Sequence, residues 1–279
     1  VLICNPLPMH HVSGLMPWWR SRCWGVPHLI LEPGWLKQPQ LLLEFCEAQS
    51  GWGQRPALLS LVPTQLGRLL ADPSGIDWLQ RFSVVWVGGA ALPAVMADQA
   101  RQAGIRLAPC YGATETAAMV AALPPERFLQ GDASCGTPLM DVALRLAADG
   151  ALEVKTSRLA IACWRPEQPQ QLQGLSDASG WWRSGDRAVL EGGLHILGRL
   201  DGAVLSGGET VFPDQLEARL LAADLPLEAV LLLGIPDAQW GEQLVGLVRS
   251  STPDIVERLQ DVTQLWPAAE RPKRWLLCP

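Results

Sequence analysis

Three lysines, Lys37, Lys155 and Lys273, are all that the 279 residues contain, and none follows a glycine-rich turn. Runs of like charge are absent, and 22 basic against 28 acidic residues leave a net charge of −6. That balance argues against a nucleic-acid or anionic-membrane partner. There is no CxxC pair, and the four histidines have no ligand spacing, which argues against a structural zinc site. Long apolar runs are missing too. The stretch Val84–Ala97 is broken by Gly88, Gly89 and Pro93, well short of the roughly 18–20 residues of a membrane span. The N-terminus lacks the basic, apolar, small-residue order of a signal peptide.

What is present describes a folded chain with a large core. Apolar residues make up 48% and charged residues 18%, which excludes disorder and coiled coil. At roughly 100–200 residues per domain, the length fits two domains. Seven cysteines, several in apolar stretches, read as free thiols of a reducing, cytoplasmic chain. Val1 stands where Met is usual and opens mid-strand, while Trp275–Pro279 is apolar and uncapped, so the chain is read as cut at both ends.

Over the first 110 residues, strand patterns at 1–4, 27–31, 57–62, 84–88 and 106–110 alternate with helix patterns near 39–49, 63–71 and 93–103. In the last helix Val95, Met96, Ala100 and Ala103 are expected on one face. This alternation predicts βα units and a largely parallel sheet. From 135 to 200 short runs separated by Asp149-Gly150 and Gly192-Gly193 predict a β-rich subdomain with hairpins. Beyond Arg199, Pro213 opens a helix with Leu216, Leu220 and Leu221 inward. Strands at Ala229–Gly234 and Leu244–Arg249 and a helix near 254–264 follow.

Four stretches can carry chemistry. In Tyr111-Gly112-Ala113-Thr114-Glu115-Thr116, at a strand end, Thr114 can donate to a phosphate and Glu115 can hold Mg²⁺. The same residues also suit a polar turn capping the next helix. Val87-Gly88-Gly89-Ala90 lets a planar ligand approach backbone, or is a tight βα turn. Ser184-Gly185-Asp186 with Gly198-Arg199-Leu200-Asp201 and Ser206-Gly207-Gly208-Glu209 offers a carboxylate for ribose hydroxyls and an arginine beside it, or two turns and a surface ion pair. His10-His11-Val12-Ser13-Gly14 follows a strand, where His11 can gate a ligand or sit in the core.

In this order and at these gaps, the four stretches resemble the adenylate-forming superfamily, the acyl-CoA synthetases and their relatives. So do Pro213-x-x-x-Glu217, Ile235-Pro236-Asp237, Trp240-Gly241 and Pro272-Lys273-Arg274. The resemblance implies an α/β adenylate-forming fold. Residues 1–199 would be the latter part of a large AMP-binding domain with a β-rich subdomain, and 200–279 an incomplete small α+β mobile lid. It implies an AMP-forming acid–thiol ligase using ATP, Mg²⁺ and coenzyme A. A carboxylate attacks the α-phosphate of ATP, and a thiol then displaces AMP. By position, Thr114 resembles the AMP-phosphate contact, Glu115 the Mg²⁺ ligand, and Gly89, Ala90, Tyr111 and Gly112 the walls around adenine and acyl group. Asp186 and Arg199 resemble ribose contacts, Asp201 the hinge, and Gly207 and Gly208 the pantetheine tunnel. Gly88, Ser13, Gly14 and His11 match the acyl side, His11 as its gate.

His11-Val12-Ser13-Gly14 and the following Met16-Pro17-Trp18-Trp19-Arg20 are similar to the 2-succinylbenzoate–CoA ligases of menaquinone and phylloquinone synthesis. An arginine there suits a substrate with two carboxylates. The implied partners are a carboxylic acid, ATP and coenzyme A, with no nucleic acid and no membrane segment; self-association is left open. Two family elements are not found: the Gly/Ser/Thr-rich loop with its lysine, and the lysine that follows the Pro-Lys-Arg stretch, since Lys273 matches the earlier structural lysine. Positioned charges at a phosphoryl site contribute a factor of about 10³, so the 279 residues by themselves are expected to adenylate poorly or not at all. The rivals are another acyl- or aryl-CoA synthetase, an amino-acid adenylating enzyme, and a non-catalytic nucleotide- or partner-binding remnant.

Overall fold

Proline sets where helices begin. Pro39, Pro63, Pro73, Pro125 and Pro213 each open a helix, at the position where a missing amide costs nothing. The computed structural model describes residues 1–164, 170–206, 209–237 and 241–278. Two units form: Val1–Ala147 with Leu152–Ser184 and Val189–His195, and Ala148–Ala151 with Gly185–Ala188 and Ile196–Pro279.

The first unit runs β1 (Leu2–Asn5), α1 (Val12–Trp24), β2 (His28–Ile30), α2 (Pro39–Glu47), β3 (Ala57–Leu61), α3 (Pro63–Leu70), α4 (Pro73–Leu79), β4 (Val84–Val87), α5 (Ala94–Gln102) and β5 (Leu107–Ala113). It continues with β6 (Ala118–Ala122), α6 (Pro125–Leu129) and β7 (Thr137–Pro138). These strands form one sheet in the order β2-β1-β3-β4-β5-β6-β7. Pairing is parallel from β2 to β5, as the βα alternation predicts, and antiparallel at β6 and β7.

Alternation along the strands separates two faces. Leu59, Leu61, Val85, Val87 and Leu107 pack with Leu42 and Cys46 of α2, Leu66 and Leu69 of α3, Trp78 and Leu79 of α4 and Ala97 and Ala100 of α5. Trp78 meets Phe82 edge-on at 4.7 Å and donates its indole N–H to Cys46 Sγ at 3.3 Å. In α5 the inward stripe is Met96, Ala97, Ala100 and Ala103, while Val95 is 56% exposed. A 100° step per residue puts Ala97, not Val95, beside Ala100 on the core side.

The expected hairpin at Asp149-Gly150 joins β8 (Val142–Leu146) to β9 (Ala151–Thr156), with Leu146 opposite Leu152 and Gly150 at φ 81°. Short strands β10 (Ala162–Trp164) and β11 (Leu172–Gly174) pair antiparallel. Then come β12 (Trp182–Val189) and β13 (His195–Arg199), each carrying residues of both units. Gly192 and Gly193 lie between them at φ 71° and 148°.

The second unit continues with β14 (Val204–Ser206), β15 (Glu209–Val211), α7 (Pro213–Leu221), β16 (Ala229–Asp237), β17 (Gly241–Arg249), α8 (Ile255–Gln264) and β18 (Arg274–Leu277). Its sheet has the order β15-β14-β17-β16, with β18 parallel to β17. Leu216 and Leu220 of α7 pack on Leu232, Leu244, Ile255, Leu259 and Trp266. Leu221, expected inward, is 45% exposed. One residue past Leu220 it lies a further 100° around the helix, outside the stripe.

Candidate active site

Asn5 ends β1 and directs the chain into α1. Its side chain, buried, donates to the Gly14 carbonyl at 2.9 Å and accepts from the Leu7 amide at 3.1 Å. Gly14 is itself in tight contact with this loop. A Cβ there would lie 2.2 Å from the Pro8 carbonyl oxygen, so glycine allows α1 to sit on residues 7 and 8. His11 is the N-cap of α1, exposed, with its ring 4.3 Å from that of His10. One face of α1 then presents Ser13, Met16, Pro17 and Arg20 at helical spacing.

That face lines a cavity of about 410 Å³ whose other walls come from the C-terminal ends of β3, β4 and β5: Ser60 to Val62, Trp86 with Gly88 and Gly89, and Cys110 with Gly112 to Thr114. Open α/β sheets bind ligands at this end, and the volume suits a small organic molecule. Of the site residues expected from the sequence, His11, Ser13, Gly88, Gly89, Gly112 and Thr114 meet at its wall, whereas Gly14, Ala90, Tyr111 and Glu115 do not line it. Gly88 packs so closely that a Cβ would be 2.8 Å from Cys110 Sγ, and Gly89 sits at φ 84°.

The turn after β5 is not a helix cap. Thr114–Thr116 form a single 3₁₀ turn leading into antiparallel β6, which removes the alternative of a cap on a following helix. Ala117 and Ala118 have φ 50° and 86°, a conformation that costs a residue with a Cβ about 1–3 kcal/mol. Side chains hold it. Thr116 Oγ1 accepts from the Ala113 amide at 3.0 Å and donates to the Ala118 carbonyl at 2.7 Å. Arg158 donates to the Thr116 and Met119 carbonyls at 2.9 and 3.2 Å, and to Asp141 at 2.7 Å. The Glu115 carbonyl accepts from the Ala160 amide at 2.8 Å, so the half-buried Glu115 stands on a fixed backbone.

Ser60, Trp86 and Cys110 were not picked out from the sequence, because alternate residues of buried strands read there as core. In the sequence Arg20 stands out only as an arginine that suits a substrate with two carboxylates. Its guanidinium lies 4.9 Å from the Trp86 ring and 5.7 Å from that of Trp24, and Nη1 is buried with no hydrogen-bond partner among the described residues. Burial holds its pKa below the usual arginine value, with Arg158 adding to the shift and Cys110 opposing it. Burial, aided by nearby Cys135, pushes the Cys110 thiol up to about 12, so Cys110 is a neutral wall that donates to the Val87 carbonyl at 3.4 Å.

In the second unit Arg199 grips Asp201 with Nε and Nη2 at 2.8 and 2.6 Å, and its Nη1 stands 3.9 Å from Asp186 Oδ1. Arg199 holds the Asp201 carboxyl below its ordinary range. The structure therefore brings Asp186, Arg199 and Asp201 together. Gly207 and Gly208, expected along the pantetheine tunnel, lie outside the described residues, as does Trp240.

Comparisons with known proteins agree with this architecture. Residues 2–157 match the family model of the AMP-binding enzyme. The chain is 31% identical to the 2-succinylbenzoate–CoA ligase of Escherichia coli K12 over 277 residues, covering 98% of this chain and 55% of that protein. It is 30% identical to that of Listeria monocytogenes serotype 4b, covering 87% and 50%. Among solved structures, E. coli MenE with a bound phenylether-linked analogue of OSB-AMS superposes with a TM-score of 0.74 at 31% identity, over 100% of this chain and 57% of that one. The Bacillus subtilis o-succinylbenzoate CoA synthetase in complex with OSB-AMP gives 0.82 at 21% identity, over 99% and 57%, which speaks for the fold. The chain thus spans about half the length of the relatives it matches. Its α/β fold is that of the adenylate-forming enzymes. With the matched model extending over more than half of its residues, the chain belongs to the AMP-binding enzyme family.

Proposed function

We propose that this chain carries the acyl and nucleotide sites of a cytoplasmic, AMP-forming acid–thiol ligase acting on 2-succinylbenzoate, ATP and coenzyme A. The observation that carries the reading is the cavity at the strand ends, walled mostly by apolar groups yet holding an arginine whose buried Nη1 has no partner among the described residues. A buried cation of that kind calls for an anion, and a carboxylate fits the arginine fork. The likeness to 2-succinylbenzoate–CoA ligases supports the choice of acid.

In this reading the acid lies along α1 with one carboxylate at Arg20 and the other towards Thr114. The free carboxylate attacks the α-phosphorus of ATP, pyrophosphate leaves, and the thiol of coenzyme A then displaces AMP from the acyl-adenylate. Positioning and charge neutralisation do most of the work. Thr114 donates its hydroxyl to a phosphate oxygen. Gly88, Gly89, Ala90, Tyr111 and Gly112 shape the walls for adenine and acyl group, with Ser13 and Gly14 on the acyl side and His11 as the gate. Asp186 accepts ribose hydroxyls with Arg199 beside it, and Asp201 is the hinge. Gly207 and Gly208 are assigned to the pantetheine tunnel from the sequence pattern alone.

Among the described residues no group of three or more His, Cys, Asp or Glu side chains forms a metal cage. The donor set at the turn is the single carboxylate of Glu115, which suits Mg²⁺ held mainly by nucleotide phosphates and water. Bound there, Mg²⁺ would supply positive charge to the phosphates. No described helix is long and apolar enough to cross a membrane.

The test is mass-spectrometric detection of the thioester from the natural polypeptide incubated with ATP, Mg²⁺, coenzyme A and a panel of acids. The expected product is 2-succinylbenzoyl-CoA. Thioesters only with other acids would overturn the substrate, and a folded protein giving neither thioester nor acyl-adenylate would overturn the ligase reading.

A further inference from the structure

Trp86 lies on β4 with Ser60 beside it on β3, on the face opposite the buried Val85 and Val87. Its half-buried indole faces the cavity. Arg20 occupies that ring. Its guanidinium stands 4.9 Å from the Trp86 centroid, while Trp24, one helical turn further along α1, approaches at 5.7 Å. Two aromatic faces attract the cation and leave the hydrogen-bonding edge of the guanidinium unengaged. Nη1 accordingly has no partner among the described residues. Nearby groups do not neutralise it: Cys110 is held as the neutral thiol, and Arg158 carries like charge.

Resting on the acid–thiol ligase reading above, we propose that Trp86 is a positioning residue which presents the Arg20 guanidinium to the second carboxylate of the acid, and so makes the site prefer dicarboxylates. The indole supplies orientation without competing for the N–H groups, which a carboxylate partner in the protein would consume. Trp24 is exposed and further away, so its share is smaller. The mode differs from the Arg199–Asp201 pair, where the guanidinium edge is already occupied.

The experiment compares wild-type natural polypeptide with W86L, W86F and W24A, each first shown to be folded by thermal unfolding. Thioester formation is measured with 2-succinylbenzoate and with 4-oxo-4-phenylbutanoate, which lacks the ring carboxylate. Relative to its effect on the monocarboxylate, W86L is expected to raise KM for the dicarboxylate about tenfold, W86F less than about threefold and W24A about twofold, with KM for ATP unchanged. Equal effects on both acids, or none, would overturn the proposal. In parallel, phthalate and benzoate binding to the same proteins is measured by calorimetry, which needs no turnover. Loss of a phthalate preference in W86L without any thioester from wild type would uphold the positioning role and sink the ligase reading. A wild-type protein that binds both acids equally would overturn the positioning role itself.

Discussion

Asp141 in the first unit and Glu217 in the second are both acids drawn into hydrogen bonding, and they respond in opposite directions. Asp141 accepts from Arg158 at 2.7 Å and from Thr156 Oγ1 at 2.9 Å, and Arg158 holds its carboxyl below the usual aspartate range. Glu217 is half-buried on α7 and accepts from the Leu232 amide at 2.7 Å. There burial pushes the carboxyl up, the amide opposes the shift, and Asp214 adds to it. A cationic partner outweighs desolvation in the first case, and a single neutral donor fails to do so in the second. Arg158 reaches further than its carboxylate, since it also ties the Thr114 turn to β6, whereas Glu217 anchors one strand.

The sharpest way to break this contrast is to overfill the turn that Arg158 secures. In Gly112→Ala the new methyl would lie 2.2 Å from the Ala118 carbonyl oxygen. A loss of about 3 kcal/mol is expected, read from the urea midpoint; an unchanged midpoint would show that β6 is free to yield and that the turn is not fixed. Next in size is Arg158→Met, expected to cost about 2 kcal/mol through the lost charge-assisted bonds to Asp141, Thr116 and Met119. In the ligase reading it lowers kcat of thioester formation more than it changes KM for the acid. A KM effect alone would place Arg158 elsewhere in the chemistry.

The pH responses sharpen the contrast itself. Because the folded pKa of Glu217 lies above its ordinary value of 4.5, its contribution is fully present below that value and is lost as pH rises through the raised one. Glu217→Gln is therefore expected to flatten the fall in Tm above pH 4.5. For Asp141, depressed from 3.8, the contribution is present above that value and lost as pH falls through the lower one, so Asp141→Asn is expected to flatten the acid limb. Tm against pH for both variants reads the signs directly, and like signs would end the comparison. Smallest of all is Asp201→Asn. The side chains of Arg199 and Asp201 are 55% and 68% exposed, and Tm should not move. A clear drop in Tm would mean that the pair is structural and not a solvated corner.

Much of this was legible. The periodicity placed β3, β4, α2, α3, α7 and α8 within a few residues, since each buries one regular face. Helix α1 escaped because Pro17 lies inside it and Trp18 and Trp19 interrupt its stripe; its inward face meets a cavity and not a uniform core. Helix α4 is only seven residues long, too short for a period to show. At the site, Gly88, Gly89, Gly112 and Thr114 stood out as glycines and a hydroxyl at strand ends. Ser60, Trp86 and Cys110 did not, since within a β-strand pattern they cannot be told from core.

From the sequence by itself came the βα alternation, the order of motifs and hence the family, because these depend on local residue type and spacing along one chain. Tertiary structure alone decided that Arg20 stands against Trp86 with no partner for Nη1 among the described residues, that Thr114–Ala118 is a strained turn and not a helix cap, and that Asp141 and Glu217 shift in opposite directions. The physical reason is common to all three. Desolvation and charge pairing are set by distances between residues as far apart in sequence as Arg20 and Trp86, or Asp141 and Arg158, and only packing brings those together.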